Sequence, residues 1–347
     1  MRGGRIDAKV VTRMGDGSSI ERTRDELRAD IEDGVAAAVK RAKVAPLDES
    51  EVAHLLDIFA SQARMTGVKV GDEVVLSCDG STSLRASRLD SLTDAEDVGS
   101  DLCELAQPDY SYKAVKTVVP SEQRLMQEAQ YRLTIPVQYG AQADLGRYSQ
   151  PDGPCPNWSQ LLPEGRIDEA RAAQEEAAAE AEEDMVRIGE ALWEAGTDGM
   201  NFDTSGAAGD ADYLAVLKAV RRLREACPDL GIELGMASEF VLGMHGELEW
   251  EGVRLAGLWP VEQLRLAQRA GATIFGPAVN VNTRRSVAWN VARAIAIIKP
   301  CMDVADIPVH PNVGMGVCGM PMHPFPPIDA VARIARAFIE ILRVDGL

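Results

Sequence analysis

From about residue 130 onward the chain alternates short apolar segments with helical ones, at a spacing of roughly 35 residues per unit. Strands are expected at 133–140 ("LTIPVQYG"), 198–205 ("DGMNFDTS"), 231–238 ("GIELGMAS"), 272–280 ("ATIFGPAVN") and 307–312 ("IPVHPN"). Helices are expected over 167–196, 211–226, 260–270, 284–302 and 328–342. Strands separated by helices on short connections pair in parallel through right-handed crossovers, which leaves two architectures: an open doubly wound sheet or an eight-fold β/α barrel. No G-x-G-x-x-G follows the first strand, which disfavours a dinucleotide-binding sheet. The expected fold is therefore α/β of the (β/α)8 TIM-barrel type. Five strands and the start of a sixth in "RVDGL" would leave that barrel incomplete. The barrel is assigned to 126–347. Residues 1–125, with amphipathic helices over 20–42 and 48–64, are assigned to an N-terminal helical cap or extension. The stretch 246–259 reads as an inserted hairpin, with the glycine of "EWEGV" at its turn.

The 347 residues carry a net charge of −18, and such a balance repels polyanions. No nucleic-acid or membrane partner is expected, and a small cationic substrate or a basic protein partner fits better. No apolar run reaches the roughly 18 residues that span a bilayer, and the start has no apolar signal core, so a cytoplasmic location is expected. The six cysteines are scattered without a C-x-x-C pair, which reads as reduced thiols rather than disulfides. Cys318, His310 and Glu239 have no ligand spacing between them, and no metal site is assigned.

In β/α barrels chemistry sits at the C-terminal ends of the strands. Here those ends carry Gln138 and Tyr139; Asn201, Asp203 and Thr204; Ser238 and Glu239; Asn280 and Asn282; His310 and Asn312. Polar groups at five successive ends point to a cavity lined with hydrogen-bonding side chains. Glu239 follows "GMAS" directly, where partial burial would suit a carboxyl to proton donation. His310, between Val309 and Pro311, could exchange a proton near neutrality or be a satisfied core residue. Asp203 either projects into the mouth or caps the loop toward the next helix. The loop "SGAAGD" has the look of a phosphate cradle but lacks a basic residue, and Asp210 reads better as a helix N-cap. His245 reads as structural. The Gly- and Met-rich stretch 314–324 reads as an adaptable docking or lid loop, or as a plain connector.

The stretches "DGMNFDTSGAAGDADY", "GMASEFVLGMHGELEWEGVRLAGLWP", "FGPAVNVNT" and "GMGVCGMPM" resemble the dimethylamine:corrinoid protein methyltransferases of methylamine metabolism and methanogenesis. The likeness runs from "TRMGDG" (12–17) to the last residue and includes "DYSYKAVKTVVPSE" and "YSQPDGP". It implies a β/α barrel that moves a methyl group from dimethylamine to the Co(I) corrinoid of a cognate partner protein, with no cofactor bound by this chain itself. It also implies a reactive pyrrolysine, encoded by an in-frame UAG after a stretch like "VDGL". Pyrrolysine is accordingly expected after Leu347, and the chain as given is expected to be an inactive N-terminal fragment. In that setting Glu239 is the expected acid, assisted by Asp203 and His310. Tyr139, Asn201, Asn280 and Asn282 are expected to contact the amine, and a homo-oligomer is expected. Two other readings compete. One is a self-sufficient barrel lyase or hydrolase using Glu239, His310 and Asp203; the other is a non-catalytic fragment that binds a corrinoid protein.

Overall fold

A computed structural model describes residues 9–61, 148–151, 153–196, 199–323 and 327–347. The expected strand 133–140, and Gln138 and Tyr139 with it, lie outside the described residues. The chain divides into two compact units. One contains the N-terminal residues together with 278–304 and 311–347, and the other runs to Pro277 and adds 305–310.

In the first unit, β1 (Val10–Arg13) and β2 (Ser19–Arg22) form an antiparallel hairpin paired from Val10↔Arg22 to Arg13↔Ser19. The sequence reading had no strand here. Its signal was the turn sequence "MGDG" between two short segments with β-branched residues, where Gly17 takes φ +89°. Two capped helices follow, α1 (Arg24–Ala42) and α2 (Glu49–Ala60). Each starts with a reciprocal capping box, Thr23 with Glu26 and Asp48 with Glu51, which satisfies two orphan amides at each helix start. They pack with α7 (Val287–Met302), buried on all sides from Val287 to Ile298, as a helix apolar around its whole circumference must be. At the α1–α7 crossing Gly34 lets the backbones touch: a Cβ there would fall 2.3 Å from the Trp289 carbonyl oxygen. The Trp289 indole N–H donates to Asp33 at 2.8 Å in the same contact. The unit is completed by α8 (Ile328–Ala337), which runs into a π-helical turn at Phe338–Leu342.

In the second unit, α3 (Trp158–Leu161) and the long α4 (Ile167–Glu194) lead into β3 (Gly199–Ser205), α5 (Asp210–Ala226) and β4 (Gly231–Met236). A two-residue-per-strand hairpin, β5 (Glu249–Trp250) and β6 (Val253–Arg254), precedes α6 (Pro260–Ala270) and β7 (Ile274–Gly276). The hairpin turns at Glu251 and Gly252, both at positive φ as this tight turn requires. The sheet is parallel, in the order β3-β4-β7, and a parallel bridge from Phe275 to Val309 extends it by one more segment.

The α/β alternation of the sequence is present, but among the described residues the parallel sheet has three strands and no closed barrel. The expected strand 307–312 is reduced to the bridge at Val309, because Pro308 and Pro311 remove ladder donors on either side of it. The expected sixth strand at Val344–Leu347 does not form. Arg343 at φ 58° turns the chain out of the helix, and 344–347 make no ladder. Among the described residues, no helix is long and apolar enough to cross a membrane.

Replacing Gly34 by Ala sets a helix-propensity gain of about 1 kcal/mol against a backbone clash with α7. Overpacking against backbone wins, and Gly34→Ala is expected to lower the unfolding free energy by about 1–3 kcal/mol in urea melts. An unchanged midpoint would show that the α1–α7 crossing is looser than this.

Candidate functional site

Strand periodicity builds the site. Side chains of a strand alternate between faces, so in-register parallel strands sort them into two layers. Pairing of Phe202 with Leu234 and of Leu234 with Phe275 puts Met200, Phe202, Ile232, Leu234, Met236 and Phe275 on one face. That face packs on helices: a Cβ at Gly189 of α4 would meet Leu223 of α5 and the Met200 sulfur. The opposite face carries Asn201 and Asp203 of β3, Glu233 and Gly235 of β4, Ile274 and Gly276 of β7 and, beyond the Phe275–Val309 bridge, His310. Parallel strands covered by apolar layers on both sides read as continuous hydrophobic runs. These strands have a second face on which, Ile274 apart, the side chains are polar or the residues glycine.

On this face the groups are close. His310 Nδ1 lies 2.7 Å from Glu233 Oε1. Glu233 is buried, with 4% of its surface exposed, and Asn201 is buried beside it at 5%. Gly235 and Gly276 are register partners. Neither sits at positive φ, so the backbone does not call for glycine at either position; the space above them does. A Cβ on Gly235 would fall 3.2 Å from Asp203 Oδ1 and 3.4 Å from Asn201 Oδ1. A Cβ on Gly276 would fall 3.3 Å from Glu233 Oε1. Both glycines thus make room for polar atoms lying flat over the sheet.

Asp203 accepts the Thr204 amide at 2.7 Å. Its carboxyl is pushed up to about 6, first by burial, then by the neighbouring Glu233 charge, against the opposing pull of the Thr204 amide and His310. Thr204 itself sits at φ 54°, a costly backbone for a β-branched residue, where β3 departs from regular pairing between Phe202 and Ser205.

The other sequence candidates fall elsewhere. Glu239 is buried just beyond the end of β4, with 5% of its surface exposed. Asn280 and Asn282 belong to the other unit. There the Asn280 carbonyl accepts from Arg293 at 3.0 Å, and the Asn282 side chain accepts the Arg284 amide at 3.0 Å. Tyr139 lies outside the described residues. Among the described residues no cluster of three or more His, Cys, Asp or Glu could hold a metal ion.

Asp210 is not an N-cap. Gly209, at φ 106°, occupies that position, and the fully buried Asp210 carboxylate accepts the amides of Met244, His245 and Gly246 at 3.0, 3.0 and 2.7 Å. It therefore ties the loop after β4 to the start of α5. His245 completes the clamp, with Nδ1 3.4 Å from Asp210 and Nε2 3.2 Å from the Arg171 carbonyl. The loop "SGAAGD", whose likeness to a phosphate cradle the sequence reading set aside, is closed from within, because Asp212 accepts the Ala208 amide at 3.2 Å.

Glu233 was missed in the sequence because "GIELGM" was read for its apolar content and its end, not for its alternation. The signal was present: Glu at one position and Gly two residues on, between Ile, Leu and Met.

The Asp203 shift has a definite sign. A carboxyl raised from 3.8 to about 6 adds stability that is fully present below pH 3.8 and is lost as pH rises through about 6. A rise of that size corresponds to at most about 3 kcal/mol, less after allowing for the partial exposure of Asp203. Asp203→Asn keeps the uncharged form, so its stability relative to the parent is expected to rise between pH 4 and 7.5 in matched denaturant melts. Parallel profiles for the two proteins would contradict the assignment.

A protein-family model described as dimethylamine methyltransferase matches residues 8–347. No solved structure matches the chain. The match takes in nearly the whole sequence, including every strand that builds the polar sheet face, and on that ground the chain belongs to the dimethylamine methyltransferase family.

Proposed function

We propose that the protein moves a methyl group from dimethylamine to the Co(I) corrinoid of a cognate partner protein, and that the polar sheet face belongs to the site where the amine is held. The family match over 8–347 carries this reading. The chemistry of the face agrees with it: Asp203, Glu233 and Asn201 are oxygen-bearing groups of the kind that accept hydrogen bonds from a protonated amine, and the chain's charge of −18 favours a cation. The sheet is then part of an eight-stranded β/α barrel whose strand ends carry the active site.

In this reading a pyrrolysine encoded after Leu347 supplies an imine electrophile, and the partner's corrinoid supplies the methyl acceptor. The chain's own residues bind, orient and move protons. Asp203, held near 6, can carry or release a proton at its carboxyl close to neutral pH, as a general acid requires. His310 offers a second proton-exchanging group beside it, and Glu239 a buried carboxyl just past β4. Asn201 is proposed to orient the amine from this face. Orientation of this kind raises the rate by holding reacting atoms in line.

The test is methylation of Co(I) corrinoid protein, followed by visible absorbance, with protein made from the native gene in a pyrrolysine-decoding host. Dimethylamine-dependent methylation is expected, with Asp203→Asn and His310→Gln each lowering kcat/KM by about 10²–10⁴. Activity on trimethylamine but not dimethylamine would overturn the substrate assignment. Reading the gene past codon 347 tests the electrophile: UAG followed by an open frame is expected, and a TAA or TGA codon with no frame behind it would remove pyrrolysine from the mechanism.

A further inference from the structure

We infer that Glu233 is a positioning residue for His310, fixing which ring nitrogen exchanges its proton, and that Gly276 is the gap through which it reaches. The inference rests on the reading above only in placing His310 at the functional face.

The geometry is specific. Glu233 belongs to β4, while His310 lies on the segment beyond β7, so a whole strand separates their backbones. The Glu233 carboxylate crosses that strand to come within 2.7 Å of His310 Nδ1. What it crosses is Gly276, whose absent Cβ would stand 3.3 Å from Glu233 Oε1, 3.1 Å from Gly235 Cα and 3.3 Å from the His310 carbonyl oxygen. A side chain at 276 would press on the carboxylate where it crosses β7. A strand glycine at ordinary φ weakens the strand by about 0.5–1 kcal/mol relative to alanine, so its presence marks a close approach of this kind.

The chemistry follows from the donor inventory. A carboxylate only accepts, so the hydrogen between the two groups belongs to Nδ1. With Nδ1–H committed, the proton that comes and goes is the one on Nε2, the arrangement by which a carboxylate sets the tautomer of a working histidine. Among the described residues, Glu233 of β4 and Asp203 of β3 are ionisable groups that act on His310, and β7 contributes the uncharged Gly276. The backbone holds the ring's strand independently, since the His310 amide donates to Phe275 at 2.9 Å. Removing the carboxylate therefore leaves the strand in place.

The experiment is a titration of His310 by long-range ¹H–¹⁵N NMR on histidine-labelled protein, assigned with His310→Gln; the chain has only four histidines. The parent is expected to show neutral His310 protonated at Nδ1. Glu233→Gln, which preserves shape and removes charge, is expected to lower the His310 pKa by at least about one unit, a tenfold shift, and to mix the tautomers. Gly276→Ala leaves Glu233 intact and is expected to shift the titration in the same direction. Its folding is checked by an unchanged resonance of His245, which the same unit holds against Asp210 and Arg171, and it carries the test if Glu233→Gln does not fold. Glu233→Asp, too short to cross β7, should behave like Glu233→Gln. A parent ring protonated at Nε2, or titrations unchanged in both Glu233→Gln and Gly276→Ala, would overturn the inference; a shift in Glu233→Gln alone would overturn the part assigned to Gly276. No substrate is present in this measurement, so its outcome is independent of whether dimethylamine is the methyl donor.

Discussion

A carboxylate on the inside of a sheet is expensive, and the Glu233–His310 contact is what offsets it. Taking an unpaired charge out of water costs several kcal/mol, and removing one member of a buried pair costs about 3–5 kcal/mol. Glu233 is in the middle of a strand with almost no solvent contact, so its partner has to be supplied by the fold. The partner arrives only if β4, β7 and the segment at Val309 stand in one register, with glycine in between. A slip of one residue would put Phe275 where Gly276 is and turn His310 to the helix-packed face. Sheet register and site geometry are therefore a single constraint.

The loops after β3 and β4 obey the same rule with backbone amides as partners. Asp210 is wholly buried and takes three amides from the loop after β4, while Asp212 serves the loop after β3. Burial pushes the Asp212 carboxyl well up, so much of the role of this group is to satisfy amides, not to carry charge. Gly209, at φ 106°, passes close beneath this clamp, where a Cβ would lie 2.9 Å from the Leu242 carbonyl. Acidic residues that would suggest anion repulsion or cation binding in the sequence are thus the internal fastenings of the loops that frame the strand ends.

The elements with strong periodicity were legible. The helices at 24–42, 49–60, 167–194, 210–226, 260–270, 287–302 and 328–337 follow their apolar spacing and lie within a few residues of expectation. The hairpin turning at Gly252 was readable from its turn chemistry. Short strands were harder, since three residues of β7 cannot establish a period, and strand ends depend on partners that sequence does not name. Asn201, Asp203 and His310 were found by looking at strand ends. Glu233 was not, because a charged residue within an apolar run reads as noise until its register neighbours are known. The packing of α1 along α7 through Gly34 was not legible, because it is a long-range contact that local pattern cannot announce.

The strain at Thr204 connects these points. A β-branched residue at φ 54° costs about 1–2 kcal/mol, and an outlier persists only where its surroundings determine it. Here the Thr204 hydroxyl donates to the Asp203 carbonyl at 2.8 Å, the Thr204 amide donates to the Asp203 carboxyl, and Ser205 donates to Phe202 at 2.9 Å. The kink lies in the stretch between Phe202 and Ser205 where the pairing of β3 with β4 shifts register, so Asp203 stands just past the last regular pair. An ordinary β conformation at 204 would carry that amide into the ladder and leave the carboxyl without its donor. Asp203 would then lose the contact that most opposes its burial, and its proton would be bound still more tightly than at about 6. The distortion therefore acts on the Asp203 carboxyl: burial raises it, and the Thr204 amide limits the rise to about 6.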